Sequence, residues 1–94
     1  MSQIFKDLEG IIAERQREDD PGSYTCRLLN EKTLVERKLN EEAYEVIEAA
    51  FKGERNEILS ESCDLLFHFL VFLRKYGISL DEIENELLKR RKEK

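Results

Sequence analysis

Lys38-Leu-Asn-Glu41-Glu42-Ala-Tyr-Glu45, then Gly53, then Glu57-Ile-Leu-Ser-Glu61-Ser-Cys-Asp64-Leu-Leu-Phe-His68, is the stretch that decides the fold. At about 100° per residue, Lys38, Glu41, Glu42 and Glu45 fall within roughly 100° of one another on a helix. After Gly53, the positions Glu57, Glu61, Asp64 and His68 form one narrow stripe on a second helix. Around that stripe stand Ile58, Leu59, Cys63, Leu65, Leu66, Phe67, Phe69, Leu70, Val71, Phe72 and Leu73. A helix apolar on every side is expected to be buried, so its acids project into an interior or a cleft.

That placement carries an electrostatic cost. Two carboxylates about 4 Å apart repel by roughly 4 kcal/mol at an effective dielectric near 20. A facing group of four or five must protonate, unfold the domain or gather cations. Hard oxygen ligands in that number suit Mg²⁺, with Mn²⁺ as the alternative. The candidate ligands are Glu42, Glu45, Glu61 and Asp64. Some of these glutamates could equally pair with lysines on a solvated face, and the helix at 38–51 alone does not decide between the two. The acids embedded in the apolar helix favour the metal.

Outward from this pair, Gly53 is the expected left-handed cap between the helices, and the second runs from about Glu54 to Tyr76. So short a connection forces an antiparallel pair. Upstream, Thr33-x-x-Glu36 reads as a capping box that starts the earlier helix near Leu34. Its expected buried stripe is Leu39, Ala43, Val46, Ile47 and Ala50. Lys38 is placed either to pair with Glu42 one turn on or to neutralise a substrate phosphate. Downstream, Gly77 closes the apolar helix, Ser79-x-x-Glu82 is a second capping box, and Ile78 with Ile83 forms a staple. Leu80, Ile83, Leu87 and Leu88 give the last helix its packing stripe. The basic end, Lys89 to Lys94, suits a helix C-terminus and is expected to fray.

At the start of the chain, Ser2 is the expected cap of a helix running to about Asp19, with an apolar stripe of Ile4, Leu8, Ile11 and Ile12. Arg15 and Arg17 complement its dipole, and Arg15 is also a candidate for a substrate phosphate. Asp20-Pro21-Gly22 breaks the chain. A short capped helix then follows from Ser23, Tyr24 and Thr25 to Leu29. His68, the only histidine, reads first as a hydrogen-bonded core residue and otherwise as a group that orients a carboxylate.

The Glu-Glu-x-x-Glu and Glu-x-x-Asp pattern resembles the all-α nucleoside triphosphate pyrophosphohydrolases, the MazG-like superfamily. Within it the chain is similar to the phosphoribosyl-ATP pyrophosphatase family of histidine biosynthesis. The closer match rests on Gly22-Ser23-Tyr24-Thr25 with Leu28-Leu29, Lys38-x-x-Glu41-Glu42-Ala43-x-Glu45-Val46-Ile47, Ala49-Ala50, Glu61-x-x-Asp64-Leu65-Leu66-x-His68 and Gly77-Ile78-Ser79-Leu80. It spans almost the whole chain. Asn40, Cys63 and Phe67 depart from the family's usual Gly, Ala and Tyr, and Phe67 lacks a hydroxyl near the site. The resemblance implies an all-α MazG-like homodimer that hydrolyses phosphoribosyl-ATP to phosphoribosyl-AMP and pyrophosphate with Mg²⁺. It implies that Lys38 meets a phosphate and that the segment Ser23, Tyr24 and Thr25 meets the phosphoribosyl or adenine part. Glu41 is the candidate to accept the proton of the attacking water or to hold a second ion.

Composition agrees. Ninety-four residues make one domain, and 39% charge with only 4 Gly and 1 Pro favours helices with solvated outer faces. A net charge of −5 argues against nucleic acid, and no apolar run is long enough for a bilayer. With no secretory signal, a cytoplasmic location is expected. Cys26 and Cys63 read as reduced thiols, Cys63 packed inside. The fold expected is an antiparallel bundle of four main helices plus a short one. The apolar surface of the Phe67–Leu73 stretch exceeds what one small bundle can cover, so part of it is expected at a dimer interface. Two other functions fit the pattern, a housecleaning (d)NTP pyrophosphohydrolase and a non-catalytic helical dimerisation module.

Overall fold

A computed structural model describes residues 2–91. Five helices follow in order: α1 (Gln3–Glu18), α2 (Tyr24–Asn30), α3 (Leu34–Lys52), α4 (Arg55–Lys75) and α5 (Leu80–Arg90). No strand occurs among the described residues. The expected all-α architecture is therefore present, with boundaries within a residue or two of those read from caps and breakers. The expected fraying of the basic end falls partly on residues 92–94, which lie outside the described residues. No helix here is long and apolar enough to cross a membrane.

Gly53 makes the sharp corner. Its φ of 72° is the left-handed conformation that glycine adopts without a Cβ penalty, and its N–H reaches back to the carbonyls of Ala49 and Ala50 at 3.1 and 3.0 Å. With only Gly53 and Glu54 between them, α3 and α4 fold back as a long hairpin. Ser79 closes the α5 start as expected: its hydroxyl accepts from Glu82 N–H at 3.2 Å, and the Glu82 carboxylate accepts from Ser79 N–H at 2.8 Å. Glu9 of α1 adds a long-range cap by accepting from Leu80 N–H at 2.8 Å. Thr33 does not form the capping box expected of it. Glu36 instead accepts from Lys75 Nζ and the Tyr76 hydroxyl, and Thr33 Oγ1 accepts from Arg37 Nε. A charged partner outcompeted the local backbone amide.

The core lies at one end of the hairpin. Ile12 of α1, Leu28 and Leu29 of α2, Leu34 and Val35 of α3, Leu70, Val71 and Leu73 of α4 and Leu80 of α5 form one buried cluster. Here α1 and α2 cover the open end of α3 and α4. The tip near Gly53 receives no such cover. Phe51 is 89% exposed, Tyr44 64% and Leu59 60%.

Several burial expectations fail, on the hairpin because its tip has no cover and on α1 because only one of its faces packs on the core. Ile47 and Ala50, expected inside, are exposed, and so are Ile4 and Ile11 of α1. Cys63, expected to be packed, is an exposed free thiol. The α4 helix, expected to be buried, is open along Leu59, Cys63, Leu66 and Phe69. Cys26 is buried, its thiol directed at the Arg15 carbonyl at 3.0 Å.

Candidate active site

Antiparallel pairing about Gly53 sets which acids meet. Glu45 lies eight residues before that glycine and Glu61 eight after, while Glu42 and Asp64 are each eleven away. One carboxylate oxygen from each of Glu42, Glu45 and Glu61 lies within 4.8 Å of the other two. All three side chains are half-buried between α3 and α4. Glu42 Oε2 and Glu61 Oε2 are shielded from solvent and have no hydrogen-bond partner. Burying such atoms unpaired is costly unless a proton or a cation satisfies them.

Their proton affinities record that crowding. A hydrogen-bonding contact with Glu45, then burial and the charges of Glu45, Asp64 and Glu42, push the Glu61 carboxyl up to about 7 from the usual 4.5. Burial first, then Glu45, also raises Glu42. Carboxyls so shifted ionise together more readily when positive charge is added between them. Oxygen ligands on one Mg²⁺ at about 2.1 Å stand at most about 4.2 Å apart, so the spread of the three carboxylates is within a small side-chain adjustment of that geometry. The donor set is all hard oxygen, which fits Mg²⁺ or Mn²⁺ and not a soft metal.

The other candidate residues distribute around this cluster. Asp64 is exposed and stands beside the trio, near enough to raise the proton affinity of Glu42 and Glu61. Glu57, which shares its stripe, is exposed. Lys38 pairs with Glu41 Oε1 at 3.6 Å and not with Glu42. Glu41 itself is exposed on the outer rim. Arg15 is engaged by Glu18 at 3.1 Å on the surface of α1, with no contact to the cluster.

Ser23 caps α2 by accepting from Cys26 N–H at 3.3 Å, so its hydroxyl has a structural task, and Thr25 is half-buried in the next turn. The Tyr24 hydroxyl reaches His68 Nε2 at 2.8 Å across 44 positions of sequence. His68 is only 6% exposed, and its Nδ1 lies 2.7 Å from the Asp64 carbonyl. The reading of His68 as a hydrogen-bonded core residue therefore describes it well. Its link to Tyr24 was not legible, because neither residue carries a local pattern that names the other.

Fold and cluster together define an all-α protein that gathers three carboxylates between two antiparallel helices. The sequence pattern of the family described as phosphoribosyl-ATP pyrophosphohydrolase matches residues 5–91. A phosphoribosyl-ATP pyrophosphatase of Metallosphaera sedula is 46% identical over 98% of this chain and 100% of its own length. One from Pyrobaculum aerophilum is 44% identical over 96% and 97%. The histidine biosynthesis bifunctional protein HisIE of Bacillus subtilis is 43% identical over 96% of this chain, which spans 44% of that longer protein. This chain belongs to the phosphoribosyl-ATP pyrophosphohydrolase family, hydrolases that act on a pyrophosphate bond.

Proposed function

We propose that this protein hydrolyses phosphoribosyl-ATP to phosphoribosyl-AMP and pyrophosphate in histidine biosynthesis, using the carboxylate cluster as a Mg²⁺ site. The observation that carries the metal is the pair of shielded, unpartnered oxygens of Glu42 and Glu61 beside Glu45. Glu42, Glu45 and Glu61 would hold the ion, with Asp64 completing the set from the edge. Mg²⁺, or Mn²⁺ in its place, supplies charge neutralisation for the triphosphate and Lewis-acid polarisation of the bond that breaks.

The chain's own residues supply the rest. Water adds across the bond between the α and β phosphorus atoms, and pyrophosphate departs with the bridging oxygen. Glu41, on the rim one residue before the cluster, accepts the water proton. Lys38 is half-buried and pairs only loosely with Glu41, so it is free to turn toward a phosphate. The α2 start with Ser23, Tyr24 and Thr25 lies on the same side as Lys38 and Glu42, whose charges act on the Tyr24 hydroxyl. In this reading it meets the nucleoside part. A phosphate role for Arg15 has the least support, because its guanidinium is spent on Glu18.

The working unit in this reading is a homodimer joined through the uncovered hairpin. Phe51, Tyr44, Ile47 and Leu59 expose an apolar surface there. The radius of gyration is 14.6 Å, against about 12 Å for a compact domain of this length. A charged biosynthetic intermediate as substrate supports a cytoplasmic location.

The test is pyrophosphate release from phosphoribosyl-ATP and from a panel of dNTPs, each with Mg²⁺ and with chelator. Mg²⁺-dependent turnover of phosphoribosyl-ATP is expected, abolished by Glu61→Gln and strongly lowered by Asp64→Asn. Turnover of dNTPs alone would replace the substrate. Unchanged Mg²⁺ binding in both variants would remove the site.

A further inference from the structure

The two arms of the hairpin are joined at both ends and crowded with acid in the middle. At the tip, Gly53 turns the chain sharply from α3 toward α4. At the base, the Lys75 ammonium at the end of α4 donates to Glu36 Oε1 and Oε2 at 3.0 and 2.9 Å. It also donates to the Lys32 and Glu31 carbonyls at 2.9 and 3.5 Å. The next residue, Tyr76, donates its hydroxyl to the same Glu36 carboxylate. The Lys75 and Glu36 side chains are 18% and 32% exposed, the least exposed ion pair among the described residues. Salt and solvent therefore screen it less than the others. Between the two joins lie Glu42, Glu45 and Glu61, whose like charges push α3 and α4 apart.

We propose that Lys75 is a positioning residue for the metal site: with Glu36 and Tyr76 it clasps the base of the hairpin and holds the three carboxylates at the spacing one divalent cation needs. This rests on the reading of the cluster as a Mg²⁺ site and names the part of the molecule that sets its geometry. Apolar packing between the arms opposes the push of the acids, but it is non-directional and does not by itself fix the angle between them. Hydrogen bonds to a carboxylate and two carbonyls do fix a distance. At about 1.5 Å per residue, Glu45 and Glu42 stand about 12 and 16 Å from Gly53 along α3, and Glu36 about 25 Å. With the corner as pivot, an opening of about 1 Å at the base becomes about 0.5 Å at the acids. That is the tolerance within which a binding constellation has to be held. Lys75 itself touches the carboxylate of Glu36 and the turn before α3, and acts on the cluster only through the angle of the arms.

The experiment is Mn²⁺ binding to the full chain at pH 8 without nucleotide, read from the loss of the free-ion electron paramagnetic resonance signal, with Mg²⁺ as competitor. Urea denaturation in chelator gives the stability of each variant separately from its affinity. Lys75→Met keeps the aliphatic stem and removes the ammonium, and should raise the Kd about 10-fold. Tyr76→Phe removes one donor to Glu36 and should raise it about 3-fold. Lys75→Arg restores a cation that pairs with a carboxylate and should stay within about twofold of the unsubstituted protein. Leu28→Ala controls for general loosening: it lowers stability through the core and should leave the Kd within about twofold.

An unchanged Kd in Lys75→Met, or a rise in Leu28→Ala as large as that in Lys75→Met, would overturn the inference while leaving the metal site in place. Where Lys75→Met does not fold, Tyr76→Phe decides, and an unchanged Kd there overturns the inference equally. An unsubstituted protein that binds no Mn²⁺, or a Kd that Glu61→Gln leaves unaltered, would overturn both the clasp and the site.

Discussion

Glu36 and Glu61 are the same kind of side chain on the two arms of one hairpin, and their surroundings drive them in opposite directions. Glu36 sits at the packed base. The Tyr76 hydroxyl and then Lys75, at 2.9 Å, hold its carboxyl down at about 2. Lys75 is also gripped by the carbonyls of Lys32 and Glu31 at 2.9 and 3.5 Å, so the end of α4 is tied to the turn before α3. Glu61 sits further toward the tip among other acids, and its carboxyl is pushed up to about 7. One region spends its acid on holding the chain together. The other crowds acids together, and two of their shielded oxygens find no hydrogen-bond partner among the described residues.

The comparison breaks most visibly through the base. Leu28 is fully buried where α2 meets the other helices, and α2 carries Ser23, Tyr24 and Thr25. Leu28→Ala should cost about 2–5 kcal/mol of unfolding free energy through lost burial and a cavity, measured by urea denaturation at fixed pH and excess chelator. A loss below about 1 kcal/mol would mean that the base is not the seat of stability.

Proton linkage sharpens it next. Without metal, the folded protein binds an extra proton at Glu61 between its usual 4.5 and about 7. That contribution is complete below about 4.5 and is lost as pH rises through about 7. Glu36 works the other way, contributing above 4.5 and losing its contribution as pH falls toward about 2. In chelator, the melting temperature should therefore fall between pH 5 and pH 8, and Glu61→Gln should flatten that fall. Mg²⁺ should restore more at pH 8 than at pH 5, because the ionised cluster binds it. A wild-type slope indistinguishable from that of Glu61→Gln would show that the cleft acids are not crowded in solution.

Much of this was readable from the chain because the signals were local. Gly53 and Gly77 mark helix ends, Ser79-x-x-Glu82 closes its own amides, and equal spacing either side of Gly53 brings Glu45 and Glu61 together. What escaped was decided by partners far away in sequence. Thr33-x-x-Glu36 has the letters of a capping box, but Lys75 and Tyr76 claimed Glu36. Tyr24 and His68 are 44 positions apart, and no periodicity links them. Ile47 and Cys63 are apolar and were expected inside, yet periodicity shows which residues share a face and says nothing about what covers that face.

The smallest expected effect probes that uncovered face. Phe51 is 89% exposed near the tip, so within one chain Phe51→Ser removes almost no packing and should change unfolding free energy by no more than about 0.5 kcal/mol at high dilution. If two chains bury the tip against each other, the unsubstituted protein should melt at a temperature that climbs with protein concentration, since association stabilises the folded form by mass action. Phe51→Ser should abolish that climb while leaving the dilute-limit melting temperature in place, and sedimentation should show its dimer displaced toward monomer. A concentration-independent melt with a monomer at micromolar concentration in the unsubstituted protein would assign the bare tip to solvent, and the contrast with the base would then be one of stability alone.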